Sequence, residues 1–400
     1  FELTASHFQP KASGTEHPGH PAPAAFEGAG ESGSHLMRHL QALACLCLSW
    51  GLAAAVRLST ERRAPELIRA AVVQGGNPSP CIFTGFLTDC DAHLERIQVA
   101  QVRKPDPKRG QALVKIMAGS INAHDWEDLV MDGRSHFRTR GLDLAGVVEA
   151  VGEACSWKPG DEVWGTGLDN ADAEYGVFRC GMLGRKPSNL TFIDAAALPI
   201  VATTGMGALA RAGAPWNAKD PARPGGPTVL VLGGAGGSGS AGVQLAKALG
   251  AGKVITTCGS SNLDLAKSLG ADQAIDYHKA NWWDVLGKGS VDVIYDCVMQ
   301  DGTGEHAYEV LRDGGRLVSL LPNSLANSSL ARQRPSVKQT FYLNLMDKST
   351  RDLDRLREMV ERGQLRPVVD SVYGLGKVQE AFRRSMGRHM SGKIIIRMDD

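Results

Sequence analysis

The chain has 400 residues, with 44 basic against 43 acidic side chains and a formal charge of +1, so no charge excess points to a nucleic acid or an anionic membrane as partner. Hydrophobic residues make up 43% and charged residues 22%, which excludes wholesale disorder, and the length is enough for two cores. The 47 glycines are about 12% of the chain against a usual ~7%; with no collagen-type repeat, they suggest a glycine-rich loop.

Residues 1–36 are rich in Gly, Pro, Ser, His and Ala without periodicity and are expected to form a disordered leader. Met37-Arg38-His39 then opens an apolar run from Leu40 to Val56 that includes the small residues Ala53-Ala54-Ala55. That is the order of a secretory signal peptide if translation starts at Met37. Arg57, Arg62, Arg63 and Arg69 follow, in the manner of a transit sequence. Residues 37–70 are therefore read as a targeting segment into a plastid or mitochondrion. A short membrane anchor, or a gene-model artefact leaving a cytoplasmic protein, are the alternatives. The eight cysteines lack the paired spacing of a zinc site and are expected to be free thiols.

Residues 71–199 carry short strand patterns, Ala112–Ile116, Val147–Val151 and Glu162–Trp164, separated by Pro and Gly turns, as in a compact β-rich domain. From 200 to 345 the pattern changes. Val229-Leu230-Val231-Leu232 is a continuous apolar run suited to a strand buried on both faces. Gly234-Ala235-Gly236-Gly237-Ser238-Gly239 follows; then Val243, Ala246 and Leu249 recur at helical spacing up to the stop at Gly250. Strand, glycine turn, helix and strand within about 30 residues form the context in which G-x-G-x-x-G binds a dinucleotide. Gly234, Gly236, Gly237 and Gly239 are the candidate cradle, where a pyrophosphate meets N–H groups at a helix start, and a β-carbon at Gly236 would obstruct it.

The tip of the second strand, Thr257-Cys258-Gly259-Ser260-Ser261-Asn262, carries no acid before Asp264. A carboxylate there accepts the ribose diol of NADH and repels a 2′-phosphate, so NADPH is favoured over NADH. Further βα units at Ala274–Asp276, Val291–Asp296 and Arg316–Leu320 complete a doubly wound parallel Rossmann sheet.

Gly141-Leu142-Asp143-Leu144-Ala145-Gly146, Pro159-Gly160-Asp161-Glu162-Val163, Ala173-Glu174-Tyr175, Ala195-Ala196-Ala197-Leu198-Pro199, Leu365-Arg366-Pro367 and Ser391-Gly392-Lys393, taken with the glycine turn, resemble the medium-chain dehydrogenase/reductase superfamily over residues 93–398. Within it the chain is similar to the zinc-independent quinone oxidoreductase branch, including reticulon-interacting oxidoreductases. The zinc alcohol dehydrogenases place Gly-His-Glu where Gly141-Leu142-Asp143 stands here, so no zinc is expected. The resemblance implies an α/β fold, the Rossmann sheet joined to a GroES-like substrate domain to which residues 346–400 return.

It also implies that Asn122 lies beside the nicotinamide ribose, Thr204 near the nicotinamide amide, Ser260, Ser261 and Tyr277 near the adenosine 2′-phosphate, Asn323 after the sixth strand, and Arg388 near the cofactor phosphates. Departures are Ala123 for the family's Pro, Asn262 for a Lys, and no counterpart of a proton-donating Tyr around Trp126–Arg134. Asp125 is the candidate for shaping the pocket beside the nicotinamide, with a helix-start cap as its other reading. His124 and His136 could relay a proton or simply be solvated. Trp282-Trp283 reads as packing, and Arg351–Glu361 as a solvated helix face. The implied activity is NADPH-dependent reduction of a quinone or α,β-unsaturated carbonyl, with a homodimer expected. A 2-enoyl thioester reductase and a cofactor-binding assembly or regulatory protein with little turnover are the alternatives.

Overall fold

A computed structural model describes residues 65–73, 94–125, 141–168, 170–217, 219, 225–298, 300–344, 349–387 and 389–399. The expectations for the leader and targeting run through residue 64, for His136, for Trp126–Arg134 and for Arg388 lie outside the described residues.

The β-rich part opens with β1 (Leu67–Val73), paired antiparallel with β2 (Ile97–Arg103). Strand β1 crosses the boundary expected at residue 71, and Arg69, read as part of a transit sequence, instead donates from Nε to Glu174 at 2.8 Å. Five strands follow: β3 (Gln111–Ile121), β4 (Asp143–Val151), β5 (Glu162–Thr166), β6 (Tyr175–Arg179) and β7 (Leu183–Arg185). Strands β3 and β4 run well past their apolar stretches, through Ala118-Gly119-Ser120 and Asp143-Leu144-Ala145. Cross-strand pairing there outweighs weak intrinsic propensity.

The free-thiol expectation is corrected at one pair. Cys155 and Cys180 form a disulfide with Cα atoms 5.8 Å apart, because the turn after β4 folds back onto the end of β6. Trp157 covers the link, its Nε1 donating to the Cys180 carbonyl at 3.1 Å. Among the described residues, Cys258 and Cys297 are free thiols.

The second part is a six-stranded parallel sheet of β8 (Thr228–Leu232), β9 (Lys253–Cys258), β10 (Gln273–Asp276), β11 (Val291–Asp296), β12 (Leu311–Ser319) and β13 (Lys338–Phe341), in the order β10-β9-β8-β11-β12-β13. Burying the four apolar side chains Val229 to Leu232 contributes about 1.5–3 kcal/mol each. The order reverses direction between β8 and β11, and ligands of such sheets bind at the carboxyl ends of the strands beside that reversal. The glycine turn leaves β8 there. Helices Pro199–Arg211 and Gly237–Ala248 pack closely; an added Cβ at Gly205 would meet Leu245 Cδ1 at 2.9 Å.

The chain then returns to the first part through β14 (Val369–Gly374) and β15 (Lys393–Arg397), giving a seven-stranded sheet in which β15 pairs antiparallel with β3. Helix Ser349–Glu361 is more than a solvated face: Leu353, Leu356 and Val360 are buried in the core, while Arg351, Arg355, Glu358 and Glu361 are exposed. Trp282 is buried, edge-on to Trp283, whose ring stacks on His306 at 3.8 Å, so packing describes this pair.

Candidate active site

The glycines of the turn differ in what holds them. A β-carbon at Gly234 would lie 2.0 Å from Thr256 Oγ1, and one at Gly239 2.0 Å from the Gly233 carbonyl; both glycines are required by the contact of turn, strand and helix. Gly236 is different. Its backbone is extended, at φ −75° and ψ 173°, and an added Cβ would meet only the Gly233 carbonyl at 3.5 Å, an ordinary contact. Among the described residues, nothing demands glycine at 236. It also stands at the N-terminus of helix Gly237–Ala248, where no side chain caps the first N–H groups. Such an open, uncapped helix start can accept an anion in close contact with the main chain.

Three consecutive residues of the returning segment touch three parts of this region. Ser391 Oγ donates to Asn262 Oδ1 at 2.8 Å, after the tip of β9. The Gly392 amide donates to the Ala235 carbonyl at 2.8 Å, and Gly392 bridges to Gly236. The Lys393 stem passes Gly237, where an added Cβ would meet its Cδ at 2.8 Å.

The Lys393 ammonium ends in a buried polar knot. It donates to Asn122 Oδ1 at 2.5 Å, to the Ile121 carbonyl at 2.9 Å and to Asp143 Oδ2 at 3.2 Å. Asp143 Oδ2 also accepts from Ser120 Oγ at 2.8 Å and Asn122 Nδ2 at 3.0 Å, while Oδ1 accepts the Ile200 amide at 2.7 Å. The Asn122 side chain is thus oriented at both ends by protein groups.

Asp125 closes the start of a short helical turn: its Oδ2 accepts the Asn122 amide at 2.7 Å, and its own amide donates to the Asn122 carbonyl. This reciprocal pairing is a cap. It is also buried, 3% exposed. Burial pushes its carboxyl up to about 7, against the opposing effects of the Asn122 amide and the Lys393 charge.

Asp172 is fully buried, and among the described residues neither of its carboxyl oxygens has a hydrogen-bond partner. It lies against Gly141, where an added Cβ would stand 2.6 Å from Oδ1. Burial first, then the charges of Asp125 and Asp143, raise its carboxyl well above the ordinary range. Asp143 takes the ammonium's hydrogen bond, and the burial of Asp125 and Asp172 beside it favours the protonated form of those two acids.

At the other end, Ser260 Oγ donates to Asp276 Oδ2 at 2.5 Å. Ser261 is exposed and Tyr277 is 51% exposed. Thr204 Oγ1 accepts from Asn344 Nδ2 at 3.1 Å, and Asn323 is exposed in a turn after β12. His124 is exposed. The geometry therefore joins Asn122, Asp125 and the glycine turn through Lys393, and it sets Ser260 and Tyr277 in a second group. Sequence reasoning assigned no role to Lys393, Asp143 or Asp172, though Asp143 and Lys393 sit within quoted motifs; no local signal marks Asp172.

Residues 108–212 match the alcohol dehydrogenase GroES-like domain, and residues 269–396 match a family described as zinc-binding dehydrogenase. A 2-methylene-furan-3-one reductase of Solanum lycopersicum is 35% identical over 314 residues, covering 74% of each chain. The chain belongs to the medium-chain dehydrogenase/reductase family. A chloroplastic NADPH-dependent alkenal/one oxidoreductase of Arabidopsis thaliana is 31% identical, over 73% of each chain. A solved quinone oxidoreductase from Coxiella burnetii has the same fold, with a TM-score of 0.69 at 23% identity, covering 83% of this chain and 100% of that one. The protein is an oxidoreductase of the quinone oxidoreductase branch of that family, acting on a small molecule.

Proposed function

We propose that the protein reduces an α,β-unsaturated carbonyl or a quinone with NADPH, without zinc. The observation that carries this reading is Gly236: a glycine that packing does not require, at the uncapped start of a helix beside the reversal of a parallel sheet. A β-carbon there would occupy the space a diphosphate needs. Gly236 and Gly237 would hold the pyrophosphate of the dinucleotide, with the nicotinamide end toward Asn122. When bound, the coenzyme supplies a hydride.

The chain's own residues supply orientation. Lys393 and Asp143 fix the Asn122 side chain, so the rim of the cleft is built before ligand arrives, and little ordering cost remains. Burial raises the carboxyls of both Asp125 and Asp172 beneath that rim, Asp125 to about 7, so the buried acids favour their protonated forms. The donor set favours a zinc-free site. Leu142 is buried and apolar, and both oxygens of Asp143 are already engaged by Ile200, Ser120, Asn122 and Lys393, which leaves no position for a metal there. The names of the Solanum and Arabidopsis relatives describe reduction of conjugated carbonyl compounds or the use of NADPH, which supports the enone class.

An organellar location and a homodimer belong to the same reading. Relatives named as chloroplastic support the first; β13, at the outer end of the six-stranded sheet beside exposed Phe341 and Leu343, supports the second. The test is loss of NADPH absorbance by the purified full chain with a panel of alkenals, enones and quinones. Turnover with at least one of these is expected; coenzyme binding without turnover on any would contradict the reading.

A further inference from the structure

The geometry points to His278 as the side chain that distinguishes NADPH from NADH, taking the adenosine 2′-phosphate against its imidazole at the corner formed by Gly259, Ser260 and Tyr277. This deepens the NADPH reading above and rests on it.

The corner lies after β9, the strand next to the one that carries the glycine turn, where a dinucleotide in such a sheet places its adenosine ribose. Its hydrogen-bond donors are partly spent. The Ser260 hydroxyl hydrogen goes to Asp276 Oδ2, and Asn262 is held from the other side, its Oδ1 accepting from Ser391 Oγ. Two rings close over the gap. An added Cβ at Gly259 would lie 3.5 Å from His278 Nε2 and 3.5 Å from the Tyr277 hydroxyl, so both polar tips converge on one point beside a residue without a side chain. The rings lean together with centroids 4.3 Å apart.

Asp276 is the bracket for this arrangement. Its Oδ2 accepts from Ser260 and its Oδ1 from the His278 amide at 3.1 Å, and these contacts hold its carboxyl below the ordinary carboxylate range. Lys279, 3.8 Å from Asp276 Oδ2, offsets that charge. An acceptor-rich 2′-phosphate needs donors, and the exposed edge of His278 provides an N–H, with a positive charge when the ring is protonated. A ribose 2′-hydroxyl gains little from the same group.

The test is a fluorescence titration of the full chain with NADPH and with NADH, for the wild type, His278→Ala and His278→Arg. His278→Ala is expected to weaken NADPH about tenfold and leave NADH unchanged, with His278→Arg restoring NADPH. Wild-type protein that binds NADPH, together with a His278→Ala variant that keeps that affinity or loses both coenzymes equally, would overturn the assignment of His278 alone. Wild-type protein that binds neither coenzyme would overturn the NADPH reading and this assignment with it.

Discussion

Ser391 and Lys393 stand two positions apart and secure two different parts of the fold. Ser391 holds Asn262 beyond the tip of β9, and Lys393 holds Asn122 at the end of β3. Gly392 between them is bonded to the glycine turn. A single short segment of the C-terminal part thus ties the six-stranded sheet to the β-rich part, and one of its contacts is buried and ionic.

That contact predicts a large cost for losing the ammonium. Lys393→Met removes the partner of Asp143 Oδ2 and of Asn122 Oδ1 while keeping most of the stem. Breaking one side of a buried ion pair costs about 3–5 kcal/mol, and denaturant unfolding of the variant should show a loss of that size. A loss under about 1 kcal/mol, the range of surface pairs, would mean that the knot is solvated.

Asp125 gives a pH dependence with a definite sign. Its carboxyl titrates near 7 when folded, against 3.8 for the ordinary group. Below about pH 4 both states hold the proton, and this group is neutral toward stability. Between about 4 and 7 the unfolded chain has released the proton and the folded one keeps it, so stability falls by up to ~1.4 kcal/mol per pH unit. Above 7 the penalty is constant. Asp125→Asn lacks this penalty, so its Tm relative to wild type should rise from pH 4.5 to pH 8; a difference that stays flat over that range would contradict the buried titration.

The disulfide closes a loop of 25 residues between Cys155 and Cys180. Loop-closure entropy makes such a link worth about 3 kcal/mol. Cys180→Ser should lower unfolding stability by roughly that amount, and a reductant should lower the wild type but not the variant. Equal stability of wild type and variant without reductant would show the thiols to be unlinked in solution.

The sequence made the six-stranded parallel sheet legible because its signal is local. The apolar run Val229–Leu232, the glycines and the helical spacing from Val243 to Leu249 lie within one stretch of chain, and each change of period marks an element. The two roles, Gly234 and Gly239 held by packing and Gly236 left open, were not separable there, since only the packing around Thr256 and Gly233 tells one from the other. The Lys393–Asn122–Asp143 knot was not legible at all: its members are 271 and 250 residues apart, and no periodicity links them. Strand β1 was obscured by the arginines around it. The Cys155–Cys180 pair was missed because spacing alone reads metal motifs and does not show which turns meet.

Gly236 allows the central claim to be tested most directly. Calorimetric titration of NADPH should give heat of binding with the wild-type full chain and a loss of affinity of about 100-fold or more, some 2.7 kcal/mol, with Gly236→Val, while the Tm of the two proteins stays the same. A Gly236→Val protein that stays folded and binds NADPH as tightly as wild type would contradict the placement of the coenzyme on this turn.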